Sequence, residues 1–579
     1  MLKHIITLLV IVIGLNPICQ AQETIIPETV KENIKLRVKN GLNAGIVVGV
    51  ISSKGTTFYS YGVKSLKSKK VVDENSVFEI GSISKTFTGI LLADMVVKGE
   101  VSLDDSLQQF LPNGITAPSR NGKSIRLVNM SNHTSSLPDM PNNLISTNPS
   151  NPYKDYSEKQ LYNFLDSYKL TWDIDSKQEY SNYAVGLLGH ILAAKEQTNY
   201  ENLMMQVIAK PLELENTRIL FTSQMIENLA MGHHEGREVE NWDLTTFAGA
   251  GGIRSTAVDM LKYLAVNMGL EKSNLYPAMK LSHKNSSSKE SRRIIGLGWF
   301  TAKANDDLEI VWHNGGTAGY RAFVGFIKGG DKGVVVLSNS NANISNIGFH
   351  LLHPAYALKK RRVPIRIKLR SIIESEGIET ATKIYWELAK TKSDDFDFRE
   401  EEDELNVLGY SYLGEEEIEK AKFVFKINVE AFPNSSNTYD SYGEALMKNN
   451  ENVKAIANYK KSFKLNPGNT NAIEMLKKLG VNTEDLTKKM IVEDAILESY
   501  VGKYELASDY ILTVTKYNNQ LKTQVIGQSE HLIFPKSKNI FYYKVVEAQL
   551  TFNQNEYGVV ESVTLLQRNR KTTGKKIVD

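Results

Sequence analysis

A serine and a lysine three residues apart stand at the start of an apolar run and could form an activated nucleophile. The segment Phe78–Phe87 reads FEIGSISKTF, which places Ser82 three positions before Lys85. Positions three apart share one face of a helix, so the Lys85 amine can reach the Ser82 hydroxyl and help to remove its proton. A serine hydroxyl is a weak nucleophile until a neighbouring base activates it. The spacing therefore indicates nucleophilic chemistry at Ser82.

The same spacing occurs a second time, but in a polar context. Ser286 and Lys289 have no apolar neighbours, and their segment is typical of a solvated loop. After Ser82, apolar residues recur at helical spacing and predict a buried helix that begins at the serine. These residues are Phe87, Ile90, Leu91 and Met95. The alternative for Ser82 is a helix N-cap that happens to precede a surface lysine.

Two further short motifs follow in the chain. Tyr180-Ser-Asn182 opens an apolar run over residues 183–192, so the tyrosine is predicted to stand just before a helix. His313-Asn-Gly315 lies between two predicted strands. Each pattern is short and unspecific alone. Their order and their structural context make them candidates for one site.

Strands are predicted at both ends of the region from about residue 24 to residue 360, with helices and polar loops between them. The apolar runs that predict strands are 45–51, 57–61, 309–312, 323–326 and 333–337. The first two can pair across a short turn, and the last three look consecutive, with a hairpin turn at 329–333. This arrangement predicts an α/β domain with one antiparallel sheet closed by its two chain ends and a helical insert.

The motifs and their order resemble the serine β-lactamase and penicillin-binding protein superfamily. The branch is that of class C β-lactamases, DD-carboxypeptidases, D-aminopeptidases and related esterases. The resemblance covers about residues 30–350 and rests on GSISK, YSN and HNGG. Supporting segments are 132–138, 210–217 and 249–256. The resemblance implies a domain over residues 22–360, in which an antiparallel sheet flanked by helices and a helical lobe enclose the site.

The resemblance also implies a role for the motif residues. Ser82 would be the acylated nucleophile, and Lys85 and Tyr180 would form the acid–base pair, with either of the two open as the base. Asn182 would hydrogen-bond the substrate amide and the lysine. The backbone N–H groups of Ser82 and of Gly316, which the resemblance places on an edge strand of the sheet, would form the oxyanion hole.

One motif departs from the family pattern. Where β-lactamases and many penicillin-binding proteins carry Lys-Thr-Gly, this chain has His313, Asn314 and Gly315, which are the further substrate-binding candidates. A lysine there is a fixed cation for the substrate carboxylate, whereas a histidine titrates near ~6.5 and is mostly neutral at pH 7. We therefore expect esterase, amidase or D-amino-acid peptidase activity ahead of efficient β-lactam hydrolysis. The expected substrates are small molecules or peptidoglycan-like peptides.

The first residues have the features of a secretory signal peptide, residues 1–21. A basic start precedes the apolar run 5–13, and small residues at Cys19 and Ala21 suit cleavage after Ala21. We expect a secreted or periplasmic protein. The alternative is a lipoprotein anchored through Cys19, which the bulky Ile18 disfavours. Cys19 is the only cysteine of the 579 residues, so the mature chain would have no disulfide.

The composition gives no sign of nucleic-acid, metal or cofactor binding. Lys and Arg total 69 against 66 for Asp and Glu, a net charge of +3. No second stretch is long and apolar enough to span a bilayer. His233-His-Glu235 lacks a third ligand at a useful spacing and is predicted to be a solvated loop. We expect no cofactor, no metal site and no membrane span.

The second part of the chain has a 34-residue period, which is that of tetratricopeptide repeats. The matched pairs are Gly409 and Gly443, Ala421 and Ala455, Phe425 and Tyr459, and Pro433 and Pro467. We expect TPR-like helical repeats within residues 365–490, which either bind a protein partner or brace the hydrolase. A period of two after residue 492 predicts a small all-β barrel or sandwich over residues 495–579, with strands at 500–504, 511–515, 521–526, 540–545 and 563–566.

The competing interpretation is a non-catalytic, penicillin-binding-like sensor or scaffold that binds a protein through its repeats. The presence of all three motif groups favours a hydrolase. The sequence does not specify the natural substrate, the leaving group or the oligomeric state.

Overall fold

The structure of the chain is a computed structural model that divides near residue 361 into two compact units. The residues that it describes are 26–286, 294–305, 308–359, 362–391, 394–398, 400–488, 490–567 and 570–577. The predicted signal peptide, residues 1–21, lies outside the described residues, as does Lys289 of the second serine–lysine pair. The two units are described separately.

A seven-stranded antiparallel sheet forms the centre of the first unit. Its strands are β1 (Gly45–Ser52), β2 (Gly55–Gly62), β3 (Ile294–Ile295), β4 (Phe300–Asn305), β5 (Leu308–Gly316), β6 (Arg321–Ile327) and β7 (Gly333–Ser338). Their order in space is β2-β1-β7-β6-β5-β4-β3. Strand β1 pairs with β7, with Ile46 opposite Ser338. The prediction of one antiparallel sheet closed by the two ends of the domain is confirmed.

Helices cover both faces of this sheet, which explains why β1 is apolar at almost every position. Ile46 and Val48 pack on one face against the helices at the two ends of the unit. Val47 belongs to the core on the other face, together with Leu261. Because side chains alternate along a strand, burial on both faces requires a continuous apolar run.

The longer helices of the first unit supply this cover and the helical lobe. They are α1 (Glu28–Lys39), α2 (Ser84–Val97), α3 (Glu158–Ser167), α4 (Asn182–Lys195), α5 (Ala257–Met268), α6 (Tyr276–Ser282) and α7 (Ser345–Leu352). Shorter helices are Leu127–Ser131, Tyr200–Met204, Ser223–Glu227 and Ala248–Gly251. Residues 84–95 of α2 are buried on all sides, so α2 is a central helix of the core.

The segment at His233 differs from its prediction as a solvated loop. Residues Gly232–His234 and Arg237–Val239 form a hairpin, and His233 is 1% exposed. Its Nε2 accepts from the Leu66 N–H at 3.3 Å, so Nδ1 donates to the Asn339 carbonyl at 2.9 Å. The prediction was wrong because backbone partners from distant segments satisfy the ring. Among the described residues, no group of three His, Cys, Asp or Glu could hold a metal.

Paired helices begin the second unit. They are α8 (Ile365–Thr391), which is broken at Gly377 where φ is 85°, α9 (Glu401–Gly414), α10 (Ile418–Ala431), α11 (Ser436–Lys448), α12 (Asn452–Leu465) and α13 (Thr470–Lys478). A Cβ at Gly409 would overlap the Phe425 ring, and one at Gly443 would lie 3.1 Å from the Tyr459 ring. The 34-residue spacing therefore coincides with close contacts between paired helices. Of the helices in the described part of the chain, none has the length and apolar character that a bilayer crossing needs.

A closed eight-stranded barrel completes the second unit. Its strands are β8 (Gly502–Ala507), β9 (Tyr510–Tyr517), β10 (Gln520–Val525), β11 (His531–Pro535), β12 (Ile540–Tyr543), β13 (Ala548–Gln554), β14 (Val560–Gln567) and β15 (Arg570–Ile577). Strand β8 pairs with β15 and closes the barrel. The barrel form of the predicted β domain is therefore the one observed. The sequence did not predict β11, β13 and β15.

Candidate active site

Ser82 and Lys85 lie in contact at the start of α2. Ser82 is part of a 3₁₀ turn, Gly81–Ile83, so the helix itself begins two residues after the serine. The Lys85 side chain is completely buried, and its Nζ lies 3.1 Å from Ser82 Oγ. The same nitrogen lies 2.6 Å from Asn182 Oδ1 and 2.7 Å from the Ala250 carbonyl oxygen. Three acceptors therefore surround an amine that has three donors when it is charged.

Burial lowers the pKa of Lys85 to about 7, and the nearby carboxylate of Asp139 opposes this shift. A substantial fraction of the amine is therefore neutral near pH 7. A neutral amine has two N–H donors and one lone pair. If Asn182 and the Ala250 carbonyl take the two donors, the lone pair faces the Ser82 hydroxyl. This is the geometry that a general base requires.

Tyr180 adds a second proton-transfer group to the same serine. It precedes α4, as predicted, and its phenol hydrogen-bonds Ser82. Its ring centroid lies 4.7 Å from Lys85 Nζ. Burial raises the pKa of Tyr180, the Ser82 hydrogen bond opposes this shift, and the charge of Asp139 adds to it. The phenol therefore keeps its proton near neutral pH and suits proton donation.

Two residues around this group were not identified as functional candidates from the sequence. The His133 ring lies 4.4 Å from the Tyr180 ring, and its Nδ1 accepts from the Ser181 N–H at 3.2 Å. Asp139 Oδ1 accepts from Asn182 Nδ2 at 2.8 Å. Both residues belong to the segment that follows the helix Leu127–Ser131. Its NHTSSLP motif was noted in the sequence, but the contact of His133 with Tyr180 and Ser181 is a property of the fold.

The histidine motif lies within strand β5, not between strands as the sequence indicated. Residues 313–316 continue the pairing with β6, from His313 opposite Val324 to Gly316 opposite Arg321. The apolar run ends before the strand does, which explains the error. Strand β5 is also not the edge strand that was expected, because β4 pairs with it as far as Trp312. Only its last four residues extend beyond that partner.

His313 is a buried, neutral ring beside the lysine. It is 2% exposed, and its Nδ1 lies 2.6 Å from the Asn314 carbonyl oxygen, to which it must donate. Burial lowers the pKa of His313 to about 3, the charge of Lys85 adds to this, and the carbonyl opposes it. Nε2 therefore carries a lone pair, and it has no hydrogen-bond partner among the described residues.

Strand β5 approaches the serine turn so closely that glycines are required on both sides. A Cβ at Gly315 would overlap the Ile80 carbonyl oxygen and lie 3.2 Å from the Ser82 nitrogen. Gly81 has a φ of 52°, and a Cβ there would lie 2.7 Å from the Gly316 nitrogen. The backbone nitrogens of Ser82 and Gly316 thus both lie at the contact between the serine turn and strand β5.

The structure brings most of the predicted site residues together. Those that meet at the serine are Ser82, Lys85, Tyr180, Asn182, His313, Gly315 and Gly316. Strand alternation puts the Asn314 side chain on the opposite face of the sheet from His313. Within the described part of the chain, no hydrogen bond joins the Asn314 side chain to the serine turn.

Comparison with known proteins decides the family. A family model described as Beta-lactamase matches residues 30–349, which is more than half of the chain. The chain belongs to the beta-lactamase family. It is therefore a serine hydrolase, as its serine–lysine motif indicated. A second model, a domain of unknown function (DUF3471), matches residues 486–576, which include all of the barrel except its last residue.

Relatives in this family include two differently named enzymes. A beta-lactamase from Yersinia enterocolitica is 26% identical over 51% of this chain and 82% of its own length. The D-alanyl-D-alanine-carboxypeptidase/endopeptidase AmpH from Escherichia coli (strain K12) is also 26% identical, over 51% of this chain and 78% of its length. A solved structure of a beta-lactamase/D-alanine carboxypeptidase from Yersinia pestis, in complex with citrate, has the same fold. It has a TM-score of 0.51 and 23% identity, and the alignment covers 57% of this chain and 97% of that one.

Proposed function

We propose that this beta-lactamase-family hydrolase cleaves ester or amide substrates through an acyl-enzyme at Ser82. The observation that supports it most is the buried amine of Lys85, 3.1 Å from Ser82 Oγ, with a pKa lowered to about 7. Ser82 Oγ would attack the substrate carbonyl carbon while its proton moves to the neutral amine. Lys85 is the better base of the pair in the resting enzyme, because burial raises the pKa of Tyr180.

The negative charge of the tetrahedral intermediate would be held by the backbone N–H groups of Ser82 and Gly316. The close approach of the serine turn and strand β5, which glycines at 81 and 315 permit, supports this assignment. One such donor typically contributes about 10²–10³ in rate.

The leaving group would depart with the proton of the Tyr180 phenol, and the Lys85 ammonium would restore that proton. The net result is the transfer of one proton from Ser82 to the leaving group and the formation of an ester between Ser82 and the acyl group. Water would then attack this ester. Its proton would pass through the Lys85–Tyr180 pair to Ser82 Oγ as the acid leaves.

The neutral His313 ring is the basis for our ranking of the substrate classes. A neutral ring whose Nδ1 proton is committed to a carbonyl offers only the Nε2 lone pair, which cannot hold a carboxylate. We therefore place esters, amides and D-amino-acid peptides ahead of β-lactams, whose family recognition uses a cation at this position. The relative named as a D-alanyl-D-alanine-carboxypeptidase/endopeptidase supports a peptidoglycan-like peptide as one such substrate, cleaved at a bond that needs no carboxylate beside His313.

We further propose that the enzyme is exported, because residues 1–21 have the pattern of a signal peptide. We interpret the helical pairs from α9 to α12 as tetratricopeptide repeats on the basis of their 34-residue period. The repeats have two alternative roles: they bind a protein partner, or they brace the hydrolase.

The function can be tested by hydrolysis of p-nitrophenyl esters, D-aminoacyl amides and a chromogenic cephalosporin. Ser82→Ala should lose at least about 10³-fold in kcat/KM on esters and amides. Ser286→Ala is the matched control, because it removes the serine of the second serine–lysine pair, and it should retain wild-type rates. Fast, tight turnover of the cephalosporin would reverse the substrate ranking. No turnover of any substrate by the wild-type enzyme would favour the sensor or scaffold.

A further inference from the structure

An exposed carboxylate lies at the end of the hydrogen-bond chain that leads from the nucleophile. Ser82 Oγ contacts Lys85 Nζ, and Lys85 contacts Asn182 Oδ1. Asn182 Nδ2 in turn donates to Asp139 Oδ1 at 2.8 Å. Asp139 is exposed, unlike the buried lysine. Among the described residues, the hydrogen bonds to its carboxylate come from Asn182 and reach Oδ1. The second carboxylate oxygen is therefore open to a ligand.

Two aromatic rings are located near this carboxylate. The Tyr153 and Trp242 rings pack edge to face with centroids 5.1 Å apart, and both side chains are partly exposed. Burial raises the pKa of Tyr153, and the charge of Asp139 adds to this effect, so the carboxylate acts electrostatically on the ring. The backbone N–H of Trp242 donates to Glu79 Oε1 at 2.9 Å, and Glu79 stands three residues before Ser82. The pair is thus tied to the serine turn.

A carboxylate beside aromatic rings is the combination that recognises ammonium groups, through charge and through the negative faces of the rings. We propose that Asp139, together with Tyr153 and Trp242, selects substrates that carry an ammonium group. This inference rests on the proposed acyl-enzyme function and narrows its substrate class. Asp139 is thus a specificity-determining residue, and it contacts the part of the substrate that extends past Asn182, away from Ser82.

A structural role for Asp139 is the alternative, because its Oδ1 also lies 3.3 Å from the Asn182 backbone N–H at the start of α4. Asp139→Asn keeps an oxygen for this contact and removes the charge. Asp166→Asn is the matched control. Asp166 is also exposed, and its Oδ1 accepts the Thr116 N–H at 2.9 Å. A purely structural role predicts equal losses on charged and uncharged substrates.

The experiment compares two isosteric pairs of esters on the full-length enzyme. The first pair is p-nitrophenyl γ-(trimethylammonio)butyrate and its analogue with a tert-butyl group in place of the trimethylammonio group. The second pair is butyrylcholine and its tert-butyl analogue, which place the charge on the leaving group. We expect wild type and Asp166→Asn to prefer the cation in at least one pair. Asp139→Asn should reduce that preference about tenfold.

An equal preference in wild type and Asp139→Asn would overturn the proposal while leaving the acyl-enzyme function in place. Absence of Ser82-dependent hydrolysis would instead remove the proposed function. In that case calorimetric titration with phenyltrimethylammonium, in the Ser82→Ala background, decides the binding inference alone. Several-fold weaker binding when Asp139→Asn is added supports the site, and unchanged affinity overturns it.

Discussion

The two sides of the candidate cleft are built by different means. On the turn side, Ser82 and Lys85 are three residues apart, and every donor of the amine has an acceptor. On the strand side, His313 is just as deeply buried, but its Nε2 has no partner among the described residues. The turn side supplies the reactive groups of Ser82 and Lys85. The strand side supplies backbone N–H groups and the lone pair on His313 Nε2.

Burial has opposite consequences for the two nitrogen bases. It lowers the pKa of Lys85 to about 7, which brings a strong base into the working range of pH. It lowers the pKa of His313 to about 3, which removes a histidine from that range. The same physical effect therefore activates the lysine and keeps the histidine neutral.

Loss of the lysine should have the largest effect on the turn side. Lys85→Ala removes the base and should lower kcat/KM on p-nitrophenyl esters by about 10³. Lys85→Arg is the informative partner variant, since guanidinium keeps the charge but has no lone pair to accept the serine proton. It should be equally inactive. A Lys85→Arg enzyme with near-wild-type rates would show that only the positive charge matters.

On the strand side, the largest effect should come from adding a methyl group at Gly315. Gly315→Ala forces strand β5 away from the Ile80 carbonyl and should cost about 10²–10³ in kcat, with a smaller change in KM. Gly414→Ala, where a Cβ meets open space, serves as the control and should leave activity unchanged. Thermal unfolding separates a local from a global effect. An unaltered kcat in Gly315→Ala would argue against an oxyanion site at this contact.

Tyr180→Phe should distinguish proton donation from base catalysis. We expect a loss of about 10² on amides and alkyl esters, whose leaving groups need a proton. The loss on p-nitrophenyl esters should be much smaller, because p-nitrophenolate leaves without one. Rates on an amide and on a p-nitrophenyl ester with the same acyl group make the comparison. Equal losses on both would assign Tyr180 to an earlier step.

The smallest effect should follow from replacement of the neutral histidine. In the wild type, kcat/KM should be low in acid and rise with pH to a plateau, through an apparent pKa of about 7, because Lys85 must lose its proton. His313→Gln should keep this limb and change the plateau by no more than about threefold. If the rise of kcat/KM between acid and neutral pH disappeared in His313→Gln, the group that titrates would be the histidine and not Lys85.

The sequence predicted the turn side of the cleft better than the strand side. Ser82 and Lys85 are local partners, so their spacing alone defines their contact. The extent of β5 was missed, because pairing with β6 keeps His313 and its neighbours in the strand after the apolar run ends. Asp139 was missed for another reason. Its contact with Asn182 joins residues 43 positions apart and has no local signal.

The antiparallel sheet was predictable from apolar runs, because both of its faces are buried and its central strands are therefore almost wholly apolar. In the barrel, the strands that were missed have few apolar residues in sequence. For example, the residues Arg570–Thr573 of β15 are exposed, and only Gly574 is buried near its centre. Closure of the barrel, rather than a strong local pattern, places such a strand.

The most direct test of the account is the pH dependence of labelling by a fluorophosphonate, with the labelled residue mapped by peptide mass spectrometry. We expect one adduct on Ser82, absent from Ser82→Ala, whose rate of formation rises with pH through about 7 as Lys85 becomes neutral. A label on another residue, or a Ser82 labelling rate that does not change between acid and neutral pH, would contradict activation of this serine by its buried lysine.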